Sequence, residues 1–219
     1  MRFKLLLLTL PVLFLPLAVD YSGLVPSQSY YISDFAMTVL IPAAYVFLLT
    51  RQGITLTALG LGHPGYGGET IRHIAICTLA YLAFVPITNI AAAVLNTPHL
   101  HSENLISADA STVHRGLLGI FYLSLSAALA EEILFRGALG AICLEQMGVA
   151  NRRIFVIASA SLFAVAHVNT HDLPELIGVF YVGVISAILY IRNRNLWPLI
   201  IAHFLLDTYV FYRVAQRAM

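Results

Sequence analysis

Residues 116–143 read GLLGIFYLSLSAALAEEILFRGALGAIC, an apolar run that is interrupted by two adjacent glutamates and one arginine. A helix needs about 20 mostly apolar residues to cross a hydrocarbon core of about 30 Å. A transmembrane strand would alternate polar and apolar side chains with a period of two, and the apolar runs of this chain do not alternate. Residues 116–143 therefore predict a membrane-spanning helix with charged groups inside the bilayer.

The composition of the whole chain indicates the same surroundings. Of its 219 residues, 59% are apolar and 11% are charged, whereas a soluble domain carries about 25% charged residues. The formal net charge of +1 provides no basic surface for phosphates. The two cysteines, Cys77 and Cys143, make no disulfide framework and lack zinc spacing. These features exclude an ordinary cytosolic enzyme, a disordered protein and a nucleic-acid-binding protein, and they make the lipid bilayer a partner of the chain.

The same length criterion gives seven predicted spans along the chain. They lie at residues 3–19, 34–50, 72–95, 116–143, 153–170, 174–191 and 196–213. No internal repeat is visible, and no linker is long enough to divide the chain. We therefore expect an all-α, polytopic membrane protein, with about seven transmembrane helices around a polar intramembrane cavity, as a single integral-membrane domain over residues 1–219.

The distribution of Lys and Arg predicts the orientation. If the N-terminus is cytoplasmic, eight of these residues flank the inner ends of the spans and three flank the outer ends. We expect the N-terminus inside and the C-terminus outside, in the inner membrane of a bacterium or archaeon. The first apolar run is also compatible with a signal peptide. Pro11 and Pro16 interrupt it and no small-x-small cleavage site follows, which favours a retained helix.

Ionisable side chains inside the predicted spans are the candidate functional groups. An ionised group at the centre of a membrane helix costs about 2.5–3.5 kcal/mol, so such groups pair inside the bundle or line a cavity. The candidates are Glu131, Glu132, Arg136, His167, His203 and Asp207.

Helical spacing separates the two glutamates. Glu132 and Arg136 are four residues apart in the favourable order for an ion pair on one helix face, and we interpret this pair mainly as a structural brace. Glu131 points about 100° away around the helix, without a local cation.

Depth along the spans groups the other candidates. At about 1.5 Å per residue from the cytoplasmic boundary, Glu131 and His167 both lie at about 21 Å, and His203 and Asp207 lie at about 12 and 18 Å. A lone membrane histidine is often only a hydrogen-bond donor between helices. Convergence of these groups on one layer instead indicates a site. We interpret His171, one turn after His167, as a residue of the rim.

Three motifs carry a resemblance to a known family. Residues 131–136, EEILFR, match an EExxxR motif, residues 163–167, FAVAH, match FxxxH, and residues 196–207, LWPLIIAHFLLD, look like HxxxN/D after an apolar run. Together they resemble the CPBP family, the CAAX protease and bacteriocin-processing intramembrane peptidases, also called Abi. The resemblance covers about residues 115–210. We therefore expect a catalytic core at 116–213 and family-variable N-terminal helices at 1–115.

The resemblance implies an intramembrane endopeptidase that cuts a membrane-anchored protein or peptide near its C-terminal anchor. It implies that Glu131 with His167 activates water and that His203 with Asp207 stabilises the oxyanion, supported by Glu132, Arg136 and Phe163. The sequence departs from the commoner pattern because Asp207 stands where Asn often does. An ionised Asp cannot donate a hydrogen bond. Asp207 would then orient His203 through a ring N–H, or be protonated in its apolar setting.

Three alternatives stay open. Two histidines and a carboxylate suit a catalytic zinc ion, with Glu131, His167 and His203 as ligands, although the chain has no HExxH signature. We expect chemistry without a metal cofactor. A non-catalytic membrane scaffold or immunity protein would not need all three residues. An ion transporter would more often show inverted repeats.

Overall fold

The structure is a computed structural model that describes residues 35–62, 68–97, 117–146, 152–168 and 170–217. The regular secondary structure in those ranges is helical, without a strand, which confirms the all-α prediction for them. The predicted first span at 3–19 and most of the loop at 96–115 lie outside the described residues.

Seven helices follow one another along the described chain. They are α1 (Ala36–Arg51), α2 (Gly68–Leu82), α3 (Phe84–Leu95), α4 (Leu117–Glu131), α5 (Arg152–Val165), α6 (Leu173–Asn193) and α7 (Trp197–Arg217). α1 begins with π-helical turns over Ala36–Leu40. α4 continues in π-helical turns over Glu132–Ala138 and Ala141–Gln146. Such turns often occur at functional sites, and the first one after α4 begins at Glu132.

Among the described residues, three helical stretches are long and apolar enough to cross a membrane. They are Glu69–Leu95, which contains α2 and α3, then Leu117–Leu144 and Leu173–Asn193. α1 is apolar but shorter. α5 ends at Val165, before the predicted end at residue 170, because the chain turns there. Membrane-spanning helices are therefore confirmed, and the number of seven spans stays a prediction.

The start of α6 is fixed by hydrogen bonds of a capping box. Asp172 Oδ1 accepts a hydrogen bond from the Glu175 backbone N–H at 2.9 Å, and Glu175 Oε2 accepts one from the Asp172 backbone N–H at 3.2 Å. Pro174 lies in the first turn, where a missing N–H costs nothing. These bonds hold the short turn between α5 and α6, which contains His167.

Packing of the helices brings the motif-bearing segments together. α5 packs along α6, and α7 packs against both α2 and α4. Where α5 packs along α6, a Cβ added to Gly183 would lie 2.8 Å from Ala160 Cα, so only glycine permits this approach of the two backbones. The π-helical end of α4 lies against α5 and α6.

The segment after α1 is tied to the turn between α6 and α7. The Leu196 backbone N–H donates to the Gly60 carbonyl at 2.9 Å, and the Tyr190 hydroxyl donates to the Ala58 carbonyl at 3.1 Å. Trp197 Nε1 donates to a neighbouring carbonyl of the same segment at 3.1 Å. The C-terminal ends of α1 and α6 therefore lie on the same side of the bundle, as the alternation of spans requires.

Candidate active site

Four of the predicted site residues meet, although they come from three different segments. Glu131, at the end of α4, has Oε1 3.8 Å from His167 Nε2 and Oε2 3.6 Å from His203 Nε2. Asp207, one turn further along α7, has Oδ2 3.6 Å from the same His203 Nε2. The convergence expected from the depth estimate is therefore found.

The accessibility of these side chains differs from that of the neighbouring ion pair. The side chains of Glu131, His167 and Asp207 are exposed by 25%, 19% and 20%. Those of Glu132 and Arg136 are exposed by 0%. Two adjacent glutamates thus face different surroundings, one accessible and one enclosed.

His167 is oriented by its own helix. Its Nδ1 lies 2.8 Å from the Phe163 carbonyl oxygen, and because a carbonyl only accepts, Nδ1 carries the proton and donates. Nε2 then faces Glu131 at a distance too long for a direct hydrogen bond. The Thr170 hydroxyl donates to the His167 carbonyl at 3.1 Å and steadies the turn. Nε2 therefore faces the Glu131 carboxylate without a direct hydrogen bond to it.

His171 lies beside the site, as predicted for a rim residue. Its ring makes an edge contact with the His167 ring, with 5.1 Å between centroids, and its Nδ1 lies 2.7 Å from Thr170 Oγ1. Loss of solvation on burial, and after it the nearby His167, lowers the pKa of His171 to about 3. His171 is therefore neutral at physiological pH and adds no charge to the site.

Glu132 makes more contacts than the predicted ion pair. Its Oε1 lies 3.3 Å from Arg136 Nη1, which is the pair expected from the sequence. The same oxygen lies 2.9 Å from His203 Nδ1 and 3.1 Å from the Tyr81 hydroxyl, which donates to it. An ionised carboxylate only accepts, so the His203 Nδ1–H donates as well. Glu132 therefore holds the His203 ring in addition to bracing its own helix.

Sequence reasoning missed two of these contacts. His203 and Tyr81 lie 71 and 51 residues from Glu132, and helical spacing relates only close neighbours. The phenol of Tyr81 in the middle of the predicted span 72–95 was the one available signal, because a hydroxyl among apolar residues needs a partner.

Phe163 supplies the apolar surface of the site. The Arg136 guanidinium lies over its ring, 4.2 Å from the centroid, in the range of a cation–π interaction. The ring also approaches the His167 and His203 rings, with centroid distances of 4.7 and 6.1 Å. Among the described residues, Arg136 Nε, Nη1 and Nη2 have no hydrogen-bond partner, so the pair with Glu132 is a charge contact. The aromatic face therefore compensates part of the buried positive charge.

The fit of a metal ion depends on donor type and arrangement. Imidazole nitrogens and carboxylate oxygens are donors that zinc binds. Within the part of the chain that the structure describes, no group of three or more His, Cys, Asp or Glu side chains is arranged to hold a metal ion. Glu131, His167 and His203 are of the donor types that bind zinc.

Comparison with known proteins identifies the family of the site-bearing segment. Residues 113–209 match the family model described as Rce1-like, type II CAAX prenyl endopeptidase Rce1-like, which is part of the CPBP/CAAX protease family. Comparisons with curated proteins and with solved structures found no match. The resemblance drawn from the three motifs is confirmed. The family is one of membrane proteases, and the protein is an integral membrane protein.

Arg136→Ala is expected to reduce stability strongly, because it leaves the enclosed Glu132 carboxylate without its cation. Removing one partner of a buried pair costs about 3–5 kcal/mol. The measurement is unfolding in detergent micelles, with Arg153→Ala on the exposed face of α5 as the matched control. Equal stability of the two variants would refute the brace and assign Arg136 to substrate binding.

Proposed function

We propose that this protein is an intramembrane endopeptidase that hydrolyses a peptide bond near the C-terminal anchor of a membrane-anchored substrate. The observation that carries the proposal is the position of the Glu131 carboxylate between two histidine Nε2 atoms, at 3.8 and 3.6 Å. The family match of residues 113–209 supports a CAAX-type peptidase as the class.

Glu131 is the general base in this proposal. Its side chain is accessible, and the 3.8 Å between its Oε1 and His167 Nε2 is too long for a direct hydrogen bond between them. A water molecule bound there gives one proton to Glu131 as its oxygen attacks the carbonyl carbon. His167, with Nδ1 occupied by the Phe163 carbonyl, offers Nε2 to the same water. When the C–N bond breaks, that proton passes to the leaving amine.

His203 stabilises the oxyanion through Nε2. Because Nδ1 donates to Glu132, Nε2 is the ring atom left to face the substrate. It becomes a donor when the ring carries both protons, and the carboxylates of Glu131, Glu132 and Asp207 then balance the ring charge. A donor that is oriented in advance is what a developing oxyanion requires.

Asp207 acts in this proposal through its charge. Glu132 already occupies the ring N–H that an acid at position 207 was expected to take. The distance of 3.6 Å from Asp207 Oδ2 to His203 Nε2 is long for a hydrogen bond. Asp207 therefore compensates the imidazolium and leaves its orientation to Glu132.

Glu131→Gln and His167→Ala are expected to lower the cleavage rate by about 10²–10⁴-fold, because each removes a proton acceptor from the attacking water. The assay uses an internally quenched farnesylated peptide that ends in a CAAX sequence, together with its unprenylated counterpart. Membrane peptides that accumulate uncut in cells with Glu131→Gln provide a second measurement.

The matched control is Glu69→Gln, an exposed acid at the start of α2, which should cleave at the normal rate. Near-normal turnover by Glu131→Gln would reject the assignment. An unchanged set of membrane peptides, with no cleavage by the unaltered chain, would favour the scaffold or the transporter instead.

Chelation distinguishes the metal-free mechanism from the zinc mechanism. Because the steps above use only side chains of this chain, strong chelators should leave cleavage intact, and metal analysis should find no stoichiometric zinc. Loss of activity on chelation and recovery on adding zinc would make Glu131, His167 and His203 metal ligands.

The site is expected to open toward the extracytoplasmic side, since helical rise places Glu131, His167 and Asp207 about 18–21 Å from the inner boundary of a core about 30 Å thick. Thr170→Cys, in the turn after α5, should react with a membrane-impermeant thiol reagent on intact cells. Asn193→Cys, at the end of α6, should react only after permeabilisation. The native Cys77 and Cys143 are buried and give little background. The reverse labelling pattern would overturn the orientation.

A further inference from the structure

One enclosed hydroxyl group outside the sequence motifs contacts the Glu132 carboxylate, and a second lies directly behind it. The side chain of Tyr81, on α2, is buried with 0% exposure, and its hydroxyl donates to Glu132 Oε1 at 3.1 Å. The Ser186 hydroxyl, on α6, contacts the Tyr81 hydroxyl. It also lies 2.6 Å from the Val182 carbonyl oxygen of its own helix, so its one proton goes either to that carbonyl or to the Tyr81 hydroxyl, whose own proton is donated to Glu132. Helices α2 and α6 thus reach the site through polar contacts.

We propose that Tyr81, supported by Ser186, is a positioning residue that fixes the Glu132 carboxylate and through it the His203 imidazole. The role rests on the proposed function, since His203 is the oxyanion donor there. Tyr81 does not touch the substrate in this scheme.

The geometry around Glu132 explains why the Tyr81 hydroxyl matters. Arg136, His203 and Tyr81 all approach the same oxygen, Oε1, and His203 and Tyr81 donate hydrogen bonds to it. The other oxygen, Oε2, is enclosed and has no hydrogen-bond partner among the described residues. A partial rotation of the carboxylate would move Oε1 away from His203 Nδ1 and loosen the His203 ring. The Tyr81 hydrogen bond opposes that rotation, and it reaches Oε1 from a different helix.

Tyr81 also contacts the imidazole that it would position. Its ring meets the His203 ring edge to face, with 5.7 Å between centroids. The phenol therefore acts on the histidine twice, through its ring directly and through its hydroxyl by way of Glu132. A substitution that removes the hydroxyl and keeps the ring therefore separates the hydrogen bond to Glu132 from the ring contact with His203.

Tyr81 lies outside the segment that matches the family. The match begins at residue 113, and α2 ends at Leu82. The N-terminal half of the chain therefore supplies a part of the site, although the sequence gives it no motif.

Tyr81→Phe tests the proposal because it keeps the ring and removes the hydroxyl. Tyr190→Phe is the matched control, since Tyr190 is also buried with 0% exposure and its hydroxyl also donates over 3.1 Å, to the Ala58 carbonyl. In protein labelled with ¹⁵N-histidine and held in micelles, Tyr81→Phe should shift the Nδ1 resonance of His203. Tyr190→Phe should leave it in place. The resonance is assigned by its disappearance in His203→Asn.

Kinetics provide the second measurement. Tyr81→Phe should lower kcat by about 10-fold to 100-fold, the effect of losing one hydrogen bond to a charged group, with KM little changed. Ser186→Ala should have a smaller effect, and adding it to Tyr81→Phe should change kcat little further. Residues that act in series are non-additive in this way, whereas two independent structural effects would add.

The outcomes separate this inference from the proposed function. An unchanged His203 resonance in a folded Tyr81→Phe protein, or fully additive effects of the two substitutions on kcat, would overturn the positioning role. If the resonance shifts but no peptide is cleaved by the unaltered chain, the positioning of His203 holds and the proposed reaction fails. If Glu131→Gln is inactive while Tyr81→Phe cleaves normally, only the positioning role fails.

Discussion

A carboxylate enclosed within a helical membrane protein must find its hydrogen-bond donors inside the protein, because neither water nor lipid supplies them. Glu132 is that carboxylate. His203 on α7 and Tyr81 on α2 donate hydrogen bonds to it, and Arg136 on its own helix supplies the neighbouring positive charge. Each contact joins the end of α4 to another part of the bundle. The arrangement of the site follows from this requirement. α7, which supplies a hydrogen-bond donor to Glu132, also brings His203 and Asp207 beside Glu131.

The two adjacent glutamates lie in different surroundings. Neighbours on a helix differ by about 100° in direction, so one can face the bundle interior while the other faces the accessible side. Glu131 lies beside two histidine nitrogens at distances too long for direct hydrogen bonds, and behind it Glu132 accepts two hydrogen bonds through Oε1. An enclosed acid held by donors is suited to orienting its neighbours, and an accessible acid is suited to taking a proton from water.

The sequence was sufficient to predict the helical class, the Glu132–Arg136 pair and the convergence of Glu131, His167, His203 and Asp207, because helical spacing and depth along a span are local quantities. It was insufficient for the contacts of Tyr81 with Glu132 and of Glu132 with His203, which depend on how distant helices pack. The sequence also did not predict the change from α-helical to π-helical turns at Glu132, since the apolar pattern does not distinguish these two kinds of helix. The roles assigned to these residues, the metal dependence and the orientation remain predictions.

The aspartate at position 207 is consistent with this arrangement. In the commoner family pattern an asparagine often stands at this position. If the residue at 207 had to orient His203, an acid could only accept a hydrogen bond where the asparagine amide can also donate one, so the ring atom that it could bond would change. Here Glu132 holds Nδ1, and Asp207 approaches the opposite ring atom, Nε2, from one turn along the same helix. The ring direction is thus independent of residue 207. What an acid changes at that position is the charge beside Nε2, which favours a positively charged ring where an oxyanion would form.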